Sequence, residues 1–152
     1  MFNLTGEFGI AIHALIFLRH KYPQTISSTQ LADNICTNPA RIRKIMKYLT
    51  LSSLVKVKQG ARGGYTVDNP HTCIALSSIA NALQEPLITA HWQSGDINKC
   101  CYISSGMGKI MNSIYNRMEI CCKIHLQDID ISELEKSLQN HTKEKGNQNE
   151  NL

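Results

Sequence analysis

No apolar run in this chain approaches the ~18–20 residues that a membrane span requires. The longest, FGIAIHALIFL at 8–18, has no basic segment before it and no small-residue cleavage site after it, so it does not read as a secretion signal. There is no C-x-x-C, no glycine-rich phosphate loop between a strand and a helix, and no pair of carboxylates placed for acid–base work in an evident cleft. These absences argue against a membrane protein, a thiol oxidoreductase and a nucleotide-binding enzyme, and no catalytic residue is expected. The expected location is the cytoplasm. Six cysteines there point to free thiols, metal or redox chemistry rather than a disulfide framework.

What is present suits one domain with an appendage: 152 residues, of which 42% are hydrophobic. The net charge of +4 is unevenly spread. Residues 1–70 carry nine Lys and Arg against three Asp and Glu, a net of +6, whereas 71–152 carry seven against nine, a net of −2. A basic half of this kind favours an electrostatic footprint on nucleic acid over generic solubility.

The basic half is organised around 38–67, NPARIRKIMKYLTLSSLVKVKQGARGGYTV. Ile42, Ile45, Met46 and Leu49 fall at i, i+3, i+4 and i+7, one apolar helical face. Ala40, Arg43, Lys44 and Lys47 share the opposite face. Ser52 and Ser53 break the helix. Leu54, Val55 and Val57 then read as a strand, with Tyr65, Thr66 and Val67 as its partner. Gly60, Gly63 and Gly64 permit positive φ between them, and Arg62 sits at the tip. A basic helix alone is often only a solvated face. With a basic-tipped hairpin after it, the pattern is that of a winged helix-turn-helix, in which the helix enters the major groove and the wing lies on the flanking backbone.

Around this centre the elements follow in order. A first helix is expected over 5–20, capped by Thr5, with Phe8, Ala11, Ile12, Leu15 and Leu18 buried. Ile26 adds a short strand against the wing. Ser28 or Thr29 caps a second short helix, and Asn38–Pro39 starts the third. Cys36 reads as a packing residue at their junction. Residues 76–84 form a fourth helix, 87–102 a loop, and 104–126 a long helix. In that helix Met107, Met111, Ile114, Met118 and Cys121 step by 4, 3, 4, 3, a heptad-like seam suited to pairing with a twin. The alternative is packing back on its own domain. The expected fold is therefore mainly α with a small β-hairpin wing. It divides into a DNA-binding domain at 1–84, a sensor loop at 85–102, a dimerisation helix and short C-terminal helix at 103–138, and a polar, disordered tail at 139–152.

At this point the chain resembles the Rrf-two family of bacterial winged-helix transcriptional regulators, from Leu4 to about Leu138. The residues that carry the resemblance are GARGGY at 60–65 with the following helix at 74–83, Arg41–Leu54 as recognition helix, and Leu4–Phe8. The resemblance implies a homodimer that binds an operator, usually as a repressor, and some members sense iron–sulfur status, nitric oxide, cysteine supply or oxidants. Cluster-binding relatives use three cysteines about six residues apart before the long helix. That triad is absent: Cys100 and Cys101 are adjacent, and Cys121 and Cys122 lie far down the helix. In some such members a first-helix carboxylate completes the site, and Glu7 is similar in position. Glu7, His91, Cys100 and Cys101 thus form an incomplete ligand set. No cofactor is the expectation, with an iron–sulfur or metal-dependent regulator as the alternative. His91, Asn98, Cys100 and Cys101 are more similar to the clusterless members, which keep one cysteine here.

Two thiols just before a helix N-terminus, beside Lys99, have their thiolates favoured. Cys101 and Cys100, with His91, are therefore the sensor candidates, able to react with a peroxide, a quinone or another electrophile. The alternative is two inert thiols. On DNA, phosphate contacts are expected from Lys56, Lys58 and the helix start at Ser28 and Thr29. Arg43, Lys44 and Lys47 face the groove, with Arg43 reading guanine. Arg62, followed by Gly63 and Gly64, reaches the minor groove; Asn38 lies at the helix start, and Arg41, between the two faces, can contact either base or phosphate. A protein-interaction winged helix remains the further alternative.

Overall fold

The computed structural model describes residues 2–4, 6–90 and 92–149. The expected cap Thr5 and the candidate ligand His91 lie outside them.

Helix α1 (Gly6–Lys21) runs through the core, with Ala11, Ala14, Leu15 and Leu18 fully buried. Helices α2 (Ser28–Ile35) and α3 (Pro39–Leu51) pack on it through Leu31, Ile42, Ile45, Met46 and Leu49. Ser27, rather than Ser28 or Thr29, starts α2. Its Oγ accepts Gln30 N–H at 3.2 Å, and Gln30 Oε1 accepts Ser27 N–H at 2.9 Å. Ser27 is the residue with a glutamine three places on, so it alone can close this reciprocal box. The turn to α3 places Cys36 in the left-handed region (φ 58°) and leaves it exposed, not packed as its apolar flanks suggest. Asn38 caps α3 by accepting Arg41 N–H at 2.8 Å, with Pro39 in the first turn.

The wing is shorter than the hydrophobic pattern implies. Strand β1 (Phe2–Leu4) precedes α1, and the wing strands are β2 (Lys56–Lys58) and β3 (Gly64–Thr66), paired with Val57 opposite Tyr65. Leu54 and Val55 belong to the approach, where Val55 turns into the core, while Val57 stays half-exposed. Ile26 bridges to Tyr65 by two backbone hydrogen bonds of 2.8 and 2.9 Å. Gly64 allows this contact, since a Cβ there would meet the Ile26 carbonyl. At the tip only Gly60 needs a left-handed φ, of 109°.

Helix α4 (Leu76–Ala82) closes the core with Leu76, Ile79 and Ala80. The segment expected as pure loop then contains β4 (Ile88–Ala90), antiparallel to β1 with Phe2 opposite Ala90. Three-residue strands carry no readable period, and their partners lie at opposite ends of the head in sequence. The long helix is α5 (Tyr102–His125), and α6 (Ile131–Asn149) follows. α6 corrects the expected short helix and disordered tail: its backbone is helical to Asn149. Glu, Lys and Gln are good helix formers, and the stretch has no proline to stop it. Its start is anchored on the head. Ile131 is fully buried, Asp130 bridges Ala75, and Glu135 pairs with Arg19 of α1. The fold is mainly α with a two-stranded hairpin, and among the described residues no helix is long and apolar enough to cross a membrane.

Candidate nucleic-acid interface and sensor loop

The face of α3 opposite the core presents Ala40, Arg43, Lys44 and Lys47, all exposed. Arg43 Nη1 donates to Ser28 Oγ at 3.3 Å, so it joins α3 to the first turn of α2. It also acts on Tyr65 of the wing: burial raises the Tyr65 pKa and the Arg43 charge opposes that rise. Helix α3, the α2 start and the wing are thus contiguous around Arg43. Thr29 is exposed beside Ser28, while the Asn38 side chain is occupied in capping.

The other cations divide into two groups. Lys47, Lys58 and Arg62 are exposed and have no hydrogen-bond or ion-pair partner among the described residues. Three more are engaged: Arg41 with Glu7 at 3.1 Å, Lys44 with Glu85 at 2.7 Å, and Lys56 with Asp68. The hydrogen bond and charge of Glu85 raise the Lys44 pKa. Sequence periodicity aims Lys44 at solvent; the structure turns it to the linker after α4. Exposed pairs contribute about 0–1 kcal/mol, so phosphate can compete for these side chains. Gly63 lies where a Cβ would meet Lys58 O, which keeps the tip beside Arg62 tight.

Glu119 of α5 holds the linker on its other side. Its carboxylate accepts Leu87 N–H at 3.1 Å and Ile88 N–H at 3.0 Å, and Lys123 pairs with it at 3.1 Å. Partial burial works to raise its pKa, but these donors outweigh it and the net shift is downward. Nothing in the polar spacing of α5 marks Glu119; a half-buried carboxylate among exposed neighbours emerges only once the linker folds over it.

Cys100 and Cys101 are exposed, with Cys101 at the N-cap of α5. The backbone N–H groups of Ser104 and Ile103 lower the Cys101 pKa. Glu7, Cys100 and Cys101 are not brought together. Glu7 is held by Arg41, and among the described residues no group of three His, Cys, Asp or Glu is disposed to hold a metal.

Along α5 the exposed apolar residues include Ile114, Met118 and Cys121 of the expected seam and add isoleucines beside it. Met107 and Met111 are half-buried against the loop, lining a crevice with Trp92 and Tyr115. Ile103, Ile110, Ile114, Met118 and Ile124 are 40–58% exposed, and Cys121 is exposed among them. Ile103, Met107, Ile110, Ile114, Arg117, Cys121 and Ile124 step by 4, 3, 4, 3, 4, 3. Extending the seam N-terminally from Ile110 finds this register; starting from the methionines misses Ile103, Ile110 and Ile124.

The Rrf2 family model, described as an iron-dependent transcriptional regulator, matches residues 4–137. No curated protein sequence matches. Several solved structures share the fold. A candidate transcriptional regulator from Lactobacillus plantarum is 17% identical, covers 96% of this chain and 98% of its own, and gives a TM-score of 0.72. IscR of T. potens is 16% identical over 90% and 88%, with a TM-score of 0.61. CymR, the global cysteine regulator of B. subtilis, is 18% identical over 88% and 96%, with a TM-score of 0.57. With a basic helix, a wing and a family match over residues 4–137 of 152, the chain belongs to the Rrf2 family of winged-helix transcriptional regulators, whose members bind DNA.

Proposed function

We propose that this protein is a cytoplasmic, homodimeric repressor that binds a two-fold related operator and is released by oxidation or electrophile modification at Cys101 or Cys100. The observation that carries the DNA-binding part is the surface around Arg43, which joins α3, the start of α2 and the wing. The exposed isoleucine row of α5 supports the dimer, because a solvated helix of this length with such a row has one face without a partner. The thiol switch rests on the lowered Cys101 pKa and on the loop's place between the head and α5. It is a proposal about this chain; among the structures that share the fold, one is the oxidised form of Staphylococcus aureus CymR.

In this reading Arg43 reads a base edge in the major groove, Lys47 and Lys44 flank it, and Arg41 and Asn38 stand at the helix start. Ser28, Thr29, Lys56 and Lys58 contact phosphate, and Arg62 with Gly63 and Gly64 lies in the adjacent minor groove. Arg43→Ala is expected to lose about 1–3 kcal/mol of discrimination at one base position, with little change elsewhere. Lys58→Ala is expected to weaken all sequences alike and to lower the salt slope by about one ion. Fluorescence anisotropy against operator variants separates the two. Unchanged discrimination by Arg43→Ala removes the assignment.

For the switch, Cys101 is expected to alkylate faster at pH 7 than Cys36, because a lowered pKa puts more of it in the thiolate form there. Peptide mass spectrometry of iodoacetamide-treated protein reads both rates. A Cys101→Ser and Cys100→Ser protein that still leaves DNA on oxidation sinks the switch.

The family's iron-dependent description favours one second reading, a metal-regulated form of the same scaffold. An absorption spectrum of protein purified without oxygen, with an iron assay, separates it from the thiol reading.

A further inference from the structure

A cavity of about 610 Å³ lies on the far side of α1, bounded by α6 and the turn at 70–71. Its volume is within the range of small-molecule sites. Neither the DNA-binding surface nor the sensor loop uses it. Ile16, Phe17 and Leu138 give it an apolar wall.

Its charge is one-sided. The carboxylate that faces it, Glu135, is neutralised by Arg19: Nε donates to Oε1 at 2.6 Å and Nη2 to Oε2 at 3.2 Å. Arg19 Nη1 is spent on Thr72 O at 2.7 Å, so this pair is a fixed, electrically balanced floor. The lining also carries the rings of His20 and His71, the Lys136 ammonium and the Gln139 amide, none with a side-chain partner among the described residues. A histidine ring offers an N–H donor in either protonation state. Another lining residue, His13, donates from Nε2 to Asn34 Oδ1 at 3.0 Å.

We infer that this cavity binds a small organic acid, its carboxylate among His13, His20, His71 and Lys136 and its hydrocarbon body on Ile16, Phe17 and Leu138. An apolar wall rimmed by cationic and N–H donors, with its one acid neutralised, selects an anion with an apolar tail over a neutral hydrocarbon or a bare inorganic anion. The site also has a route to DNA. Asn34 lies in the last turn of α2, two residues before the left-handed Cys36 that sets the turn into α3. A ligand carboxylate that accepts from His13 competes with Asn34 for the same N–H. Occupancy therefore frees one tie on the helix-turn-helix. The binding part is independent of the proposed repressor function; the coupling part rests on it.

The test uses octanoate as probe, with octanol and inorganic phosphate as controls, on the full chain with histidines labelled with ¹³C. Histidine ring resonances are followed by NMR and assigned with single His→Asn variants. Octanoate is expected to shift His13, His20 and His71 together, saturably, at one molecule per chain. Octanol and phosphate are expected to bind about tenfold more weakly or worse, and Lys136→Glu to weaken octanoate about tenfold through loss of a charged donor and gain of a repelling one. Octanoate is then expected to change the DNA dissociation constant of the parent but not of Asn34→Ala, which still binds octanoate. Absent or scattered shifts, equal binding of octanol, or indifference to Lys136→Glu overturns the site. Binding with an equal DNA response in Asn34→Ala overturns the route while leaving the site. Failure of DNA binding itself shows in the absence of octanoate and concerns only the repressor reading.

Discussion

Ile114→Asp is expected to give a monomer whose affinity for operator DNA falls by about 10²–10⁴-fold, the avidity lost when two linked heads become one. Ile114 is central in the row that runs from Ile103 to Ile124, and it is 41% exposed in the single chain. A row of this kind is tolerated only when another apolar surface covers it. A carboxylate at its centre would be buried without a partner on association, which costs several kcal/mol on each side. The head should keep its fold, because Ile114 is not part of the buried core. Sedimentation equilibrium reads the oligomeric state, and anisotropy on a symmetric and a half-site duplex reads the affinity. The half-site affinity should be close to that of the parent. A dimeric Ile114→Asp protein with parental affinity shows that this row is not the pairing surface.

Glu135→Ala is expected to destabilise the protein by about 3 kcal/mol, near the low end for a broken buried ion pair because Glu135 keeps some solvent access. Arg19 is the reason for the size of the effect. Its side chain is 4% exposed and holds three hydrogen bonds, two of them to Glu135. Without Glu135 a guanidinium remains buried against α6 with one carbonyl partner. Arg19→Met combined with Glu135→Leu should recover most of the loss, since no charge is then stranded. Urea unfolding at constant m-value checks both proteins. A Glu135→Ala midpoint equal to the parent's would mean that α6 is held by Ile131 and the Ala75–Asp130 bridge alone.

The elements that could be read from sequence are those with a period. Ile42, Ile45, Met46 and Leu49 repeat at helical spacing, and all four are buried. The hairpin announces itself through GARGGY, because glycine and a basic tip between two apolar segments have few other uses. What could not be read depends on partners distant in sequence. Arg19 looks like an ordinary cation in a last helical turn, yet Glu135 and Thr72 make it a buried one. Glu7 resembles a ligand of a first-helix site, but Arg41 claims it. β1 and β4 are three residues each, too short to show a period, and their pairing joins segments far apart in sequence. On α5 the periodicity alone does not separate Met107 and Met111, half-buried beside Trp92, from Ile103, Ile110 and Ile124, which are exposed; the loop that packs on the helix decides it.

The most direct test of the central claim is selection of bound duplexes from a randomised DNA pool, sequenced for the parent and for Arg43→Ala. The account predicts enrichment of a two-fold symmetric motif, its half-sites about one helical turn (~10 bp) or a multiple apart, with one position in each half relaxed in Arg43→Ala. An unenriched pool, or a motif identical at every position in the two proteins, would contradict it.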